Sequence, residues 1–119
     1  MSYYSMQKNS LNKVLLIGRL GGNPEARYTS AGVPVVSFSL ATNESWIQKD
    51  GEKVEKVEWH SVVVWDKLAE LAQKNLNKGL LVSIEGKLQT RVWENKDGQK
   101  VKTTEIVCSN FILLERKIN

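Results

Sequence analysis

One segment of helical period, DKLAELAQKNLNKG over 66–79, interrupts a chain that otherwise alternates with a period of two, and its position limits the fold more than any other feature. Leu68, Leu71, Ala72 and Leu76 fall on one helical stripe, with Asp66 placed to cap the start and Gly79 to stop the end, which predicts about three turns. The flanking segments read as strands. LNKVLLIGRL runs into the turn Gly21-Gly22-Asn23-Pro24, and in VVSFSLAT the residues Val36, Phe38 and Leu40 point one way while Ser37 and Ser39 point the other. ESWIQKDGEKVEKVEW, with Asp50-Gly51 amid alternating charges, reads as a solvated hairpin loop leading into a third strand, VEWHSVVVW. Beyond the helix, LLVSIEGKLQTRVW and VKTTEIVCSNFILL are joined by a turn at Asp97-Gly98.

Three strands, one helix and two strands is the order of an all-β domain with one helix: an OB-fold, a five-stranded Greek-key barrel with the helix between strands 3 and 4. Gly86 supplies the fourth strand with a residue at which a small barrel can bend. A chain of 119 residues has room for one core only. Residues 1–10, polar and without period, read as a flexible lead-in, 11–114 as the barrel domain, and 115–119 as a short C-terminal end carrying no acidic tail.

Four tryptophans, at Trp46, Trp59, Trp65 and Trp93, are many for so small a domain. Indole is usually buried, so each has an ordinary reading as core. Alternation opposes that reading most strongly at Trp93, which shares a strand face with Arg91, Gln89, Lys87 and Glu85 while Val92, Leu88, Ile84 and Val82 take the other. Only a bulge in that strand would reset the pattern. Trp59 and Trp65, six residues apart, share a face opposite to His60, Val62 and Val64, and Trp46 enters a segment bearing Lys49, Lys53 and Lys56. An indole left in water forgoes roughly 4–6 kcal/mol of burial, so an exposed cluster calls for a partner, either a protein or a planar ligand. The interleaved cations favour a nucleic acid, because unpaired bases stack on indole for roughly 1–3 kcal/mol each while ammonium and guanidinium groups follow the phosphates. Duplex DNA hides its base faces, and the one helix has no basic reading face, so single strands are the expected ligand.

Catalytic and metal-binding patterns are missing. His60 is the sole histidine and has no aspartate or cysteine placed to complete a hydrolytic triad. There is no CxxC, no histidine pair and no acidic loop for a metal, and GRLGG lacks the spacing of a phosphate loop, so neither a cofactor nor an enzyme is expected. Cys108, alone in the apolar run EIVCSNFILL, reads as a core residue. The net charge of +4 is compatible with an anionic partner without deciding for one.

The segments NKVLLIGRLGGNPEARYTSAG, FSLATNESW, EWHSVVVWDKLAELA, NLNKGLLVSIEGKLQTRVW and TTEIVCSNFILL together resemble the bacterial and organellar single-stranded DNA-binding protein family, in the family's own order, from Leu11 to about Leu114. The resemblance implies an OB-fold homotetramer that binds and protects single-stranded DNA without sequence preference during replication, recombination and repair. It implies base stacking at Trp46, Trp59, Trp65 and Trp93, and phosphate contacts at Lys13, Arg27, Lys49, Lys67, Lys78 and Arg91. Lys87 joins that set through the strand-face reading above. Trp65 stands where the family often has phenylalanine, Gln89 and Ser61 where some members have arginine, and His60 resembles a subunit-interface histidine. Bacterial members usually continue into an acidic tip that recruits replication and repair proteins, so such partners are expected only if the full-length protein carries that tail. No membrane-length run and no signal peptide are seen, and the expected location is cytoplasmic, at the bacterial nucleoid, or alternatively the mitochondrial or plastid matrix.

Overall fold

The computed structural model describes residues 7–116; the first six residues of the expected lead-in and the last three of the chain lie outside the described residues. Six strands and one helix follow one another as β1 (Val14–Leu20), β2 (Glu25–Tyr28), β3 (Pro34–Ile47), β4 (Lys53–Trp65), α1 (Asp66–Asn75), β5 (Leu81–Glu94) and β6 (Lys100–Leu113). Neighbours run in the order β1-β5-β6-β4-β3-β2, and a further pairing of β1 with β3 closes five of them into a barrel. The OB-type order expected from the sequence is therefore present, with β2 added as an edge beside β3.

Two features depart from expectation. The short β2 has no counterpart among the expected strands, its four residues all being exposed without alternation; its pairing with β3, from Glu25↔Ser37 to Tyr28↔Pro34, defines it. Counting it, the helix falls between the fourth and fifth strands; among the barrel strands alone it stays between the third and fourth. The charged stretch expected as a solvated loop is a paired ribbon instead. β3 and β4 stay in unbroken register from Val35↔Trp65 to Ile47↔Lys53, and Glu44 faces Lys56 across the ladder. Alternating charge marks a ribbon wet on both faces as readily as a loop, so composition alone misreads it.

Every hairpin tip uses the same turn. At Gln48–Glu52 and Asn95–Gln99 the fourth residue, Gly51 or Gly98, donates its N–H to the carbonyl of the first, while the first donates to the carbonyl of the fifth. Thr29–Val33 repeats this arrangement with Gly32. All three glycines have φ between 77° and 89°, a left-handed conformation that side-chain-bearing residues rarely adopt.

The helix differs in detail. Asp66 is its first residue, at φ 60°, and is not its cap; Trp65 precedes it without a capping hydrogen bond from the side chain. The buried stripe consists of Ala69 and Ala72, continued by Leu76 and flanked by the half-buried Leu68, whereas Leu71 is 51 % exposed. Helical bonding ends at Asn75, with the Leu76 N–H given to the Ala72 carbonyl. Gly79 turns the chain later, donating its N–H to the Leu20 carbonyl.

Inward-facing Val36, Leu40, Val62, Val64, Val82 and Ile84 fill the barrel, and the alanine face of α1 packs into the same cluster. Closure depends on two close approaches. A Cβ at Gly18 would lie 2.2 Å from the Ala41 carbonyl oxygen, and one at Gly86 would lie 2.2 Å from that of Val107. Beside Gly86 the β5–β6 register slips, Glu85 facing Asn110 and Gly86 facing Cys108, so Ser109 is the extra residue of a bulge on β6. Cys108 stays in the core at 6 % exposure, and burial pushes its thiol up to about 11 from 9.0. On thiolate fraction alone, iodoacetamide at pH 8 should react with native Cys108 about 100-fold more slowly than with the urea-unfolded chain. Equal rates in the two states would show an accessible thiol.

Candidate nucleic-acid interface

Residues directly opposite each other in a ladder share a face, so the register can be followed across the barrel wall. Val62 and Ile106, paired across β4 and β6, both belong to the core, which turns the adjacent pair Val63 and Val107 outward. One outward row then runs Glu25, Ser37, Val63, Val107, Lys87 through β2, β3, β4, β6 and β5. A second places Arg27, Val35 and Trp65 side by side. Trp59 follows Trp65 on this face at even spacing along β4. Because the bulge lies on β6, alternation along β5 is intact, and Arg91 and Trp93 stay on the side of Lys87.

The outer wall thus carries Trp59, Trp65 and Trp93 together with Arg27, Lys87 and Arg91. Trp46 differs: it faces Val54, at odd spacing from the Trp59 pair in a ladder without bulges, so it lies on the opposite face of the β3–β4 ribbon. All four indoles are exposed, at 44 % for Trp46, 61 % for Trp59, 45 % for Trp65 and 41 % for Trp93. None contributes to the hydrophobic core. Trp59 is seated by a missing side chain, since a Cβ at Gly21 would come within 2.4 Å of its ring.

The seven cations singled out in the sequence are all exposed, but their settings differ. Lys49 occupies the tip of the β3–β4 arm, Lys67 the first turn of α1, and Lys78 the loop before β5, where its backbone N–H is held by Asn23 Oδ1 at 2.8 Å. Lys13 Nζ stands 3.7 Å from Glu85 and Arg91 Nε 3.5 Å from Glu105. Glu105 is only 8 % exposed, whereas the Arg91 side chain is about half exposed. His60 sits where the ribbon leaves the barrel, its Nε2 2.9 Å from the Thr42 hydroxyl. Among the described residues, no group of three or more His, Cys, Asp or Glu is placed to hold a metal ion, and no helix is long and apolar enough to cross a membrane.

Residues 11–114 match the model of the Single-strand binding protein family. The chain belongs to that family. It is 50% identical over 108 residues to Single-stranded DNA-binding protein 1 of Chlorobaculum tepidum, a match covering 90% of this chain and 67% of the relative. It is 47% identical over 105 residues to the single-stranded DNA-binding protein of Neisseria meningitidis serogroup A, covering 88% of this chain and 60% of that one. The chain therefore spans about two thirds of the length of these curated relatives or somewhat less. Among solved structures, a Plasmodium falciparum SSB complex with ssDNA superposes with a TM-score of 0.80 at 41% identity, over 92% of this chain and all of that one. A deletion mutant of the Thermus aquaticus single-stranded DNA binding protein gives 0.76 at 31% identity, over 88% of this chain and 51% of its own.

Two parts of this single-strand binding family member could not be found from the sequence. On β6, Thr103 accepts a 2.9 Å hydrogen bond from Trp93 Nε1, and Glu105, opposite Gln89, reaches diagonally to Arg91; both depend on the β5–β6 register. Elsewhere on the wall, Ile17, Ser83 and Ile112 form a row across β1, β5 and β6. Ile17 and Ile112, with Leu15 and Leu114, make an apolar surface whose four members are 44–63 % exposed.

Proposed function

We propose that this protein binds and protects single-stranded DNA without sequence preference, by stacking bases on its tryptophans and holding phosphates with Lys13, Arg27, Lys49, Lys67, Lys78, Lys87 and Arg91. The observation that carries this reading is one continuous outer wall bearing three exposed indoles among cations. Trp46, on the far face of its ribbon, serves as a fourth platform where the strand passes around the arm. Coating of this kind requires no bond making, and the protein acts as a non-enzymatic partner of replication, recombination and repair. Such work places it in the cytoplasm at the bacterial nucleoid, or in the mitochondrial or plastid matrix.

The functional unit is a homotetramer. The Leu15, Ile17, Ile112 and Leu114 surface supports assembly, since large apolar side chains at this exposure gain by meeting another copy. His60 serves at a subunit interface, and replication and repair proteins are recruited only if the full-length chain carries an acidic tail.

Titration with oligo(dT) tests the reading through tryptophan fluorescence, with a duplex of equal length as control. The single strand should quench deeply and saturably and the duplex weakly. If all seven cations neutralise phosphates in each engaged protomer, the slope of log K on log salt reaches about −5, at about −0.7 per phosphate; it falls to about −3.5 if Lys13 and Arg91 stay with their carboxylates. Equal quenching by duplex, or a slope near zero, would defeat the proposal.

A further inference from the structure

We infer that Thr103 is a positioning residue, which holds the Trp93 indole as a flat platform and withholds its N–H from the ligand; this rests on Trp93 stacking a base as proposed above. Trp93 lies on the β5–β6 arm at 41 % exposure, where an indole with one open side would otherwise sample several rotamers. Its Nε1 donates to Thr103 Oγ1 at 2.9 Å. Thr103 stands opposite Arg91 while Trp93 stands opposite Val101, so the bond runs diagonally across the ladder and ties the ring toward Arg91. Threonine is suited to this task, because its branched Cβ restricts χ1 and fixes the acceptor.

Two consequences follow for binding. The ring is ordered before the ligand arrives, so binding does not bear the entropy of immobilising it. The only polar atom of the indole is already engaged on the protein, leaving the π face as the whole of what Trp93 offers. Every base has such a face, whereas an unengaged N–H would favour bases with an acceptor in reach. Thr103 thereby supports tolerance of sequence as well as affinity.

The test compares Thr103→Val, Thr103→Ser, Trp93→Ala and the Thr103→Val/Trp93→Ala double variant in oligo(dT) and oligo(dC) titrations. Each is accompanied by a melting curve and the indole N–H resonances. Thr103→Val keeps the shape and removes the acceptor. It should weaken binding about two- to tenfold, the range expected for freeing one side chain, with an unchanged salt slope because no charge is lost. The Trp93 N–H should exchange faster with solvent while the melting midpoint stays put, Thr103→Ser, which keeps the acceptor but not the branch, should restore most of the affinity, and Thr103→Val should add nothing once Trp93 is alanine. If Trp93→Ala weakens binding but Thr103→Val does not, the positioning role is wrong and the stacking role survives. A Trp93→Ala variant with native affinity would remove the stacking role and this inference together. Loss from Thr103→Val that persists without Trp93 would overturn it as well.

Discussion

Affinity for oligo(dT) should fall about 5- to 150-fold when Trp59 is replaced by alanine. That range is the general worth of base stacking on an aromatic side chain in single-strand binders, about 1–3 kcal/mol, converted to a ratio. Trp59 is expected to show it because it is the most exposed of the four indoles, at 61 %. It is set over Gly21, where no side chain competes for its face. Folding should barely notice the change, since the ring is no part of the core, and Trp59→Phe should recover much of the loss by restoring a flat surface. Anisotropy titration and a melting curve on the same samples separate the two effects. Unchanged affinity in a folded variant would mean that no base rests on this ring, and the outer wall would lose its leading platform.

The largest expected effect on stability lies at Gly86. Its Cβ in Gly86→Ala would meet the Val107 carbonyl oxygen at 2.2 Å, and that oxygen belongs to the backbone beside the Ser109 bulge, where no rotamer change can relieve the clash. Overpacking of a closed interior usually costs 1–3 kcal/mol, so with backbone as the obstacle we expect about 3 kcal/mol or more. For a domain of this size the melting midpoint should drop roughly 10 °C or more. Gly18→Ala, aimed at the Ala41 carbonyl, should behave alike, because it separates β1 from β3 where the barrel closes. Gly22→Ala is the control: a Cβ there meets nothing within 4 Å. Near-native melting of Gly86→Ala would show that the β5–β6 seam can open without loss, contrary to its role in closure.

What the sequence disclosed depended on whether a signal was local or relational. Trp93 was placed on the correct strand face by counting alone, because β5 alternates without interruption and the bulge fell on its neighbour. Val36, Phe38 and Leu40 were legible for the same reason, each being inward and buried. The β3–β4 ribbon was not, because its ion pairs among the described residues, Lys53 with Glu55 and Lys56 with Glu58, lie along β4 and mark no partner strand, and only the register with β3 reveals the ladder. Leu71 has the right spacing for the core but lies just beyond the face that α1 turns to the barrel, where Ala69 packs instead. Asp66 has the chemistry of a cap without its place. Thr103 and Glu105 become meaningful only once β5 and β6 are aligned, so the residues that meet Trp93 and Arg91 were beyond any linear reading.

The recurring five-residue turn has a consequence for how the reach of this molecule can vary through descent. Each arm is a self-contained ladder sealed at its tip by two backbone hydrogen bonds and a glycine. Adding or deleting two residues on both strands would move the tip by about 7 Å while every side chain kept its face. A single-residue step on both strands would send the aromatic residue beyond it to the other side of the ribbon. Arm length is therefore free to change in even increments only, which gives the fold a discrete scale of footprints around an unchanged barrel.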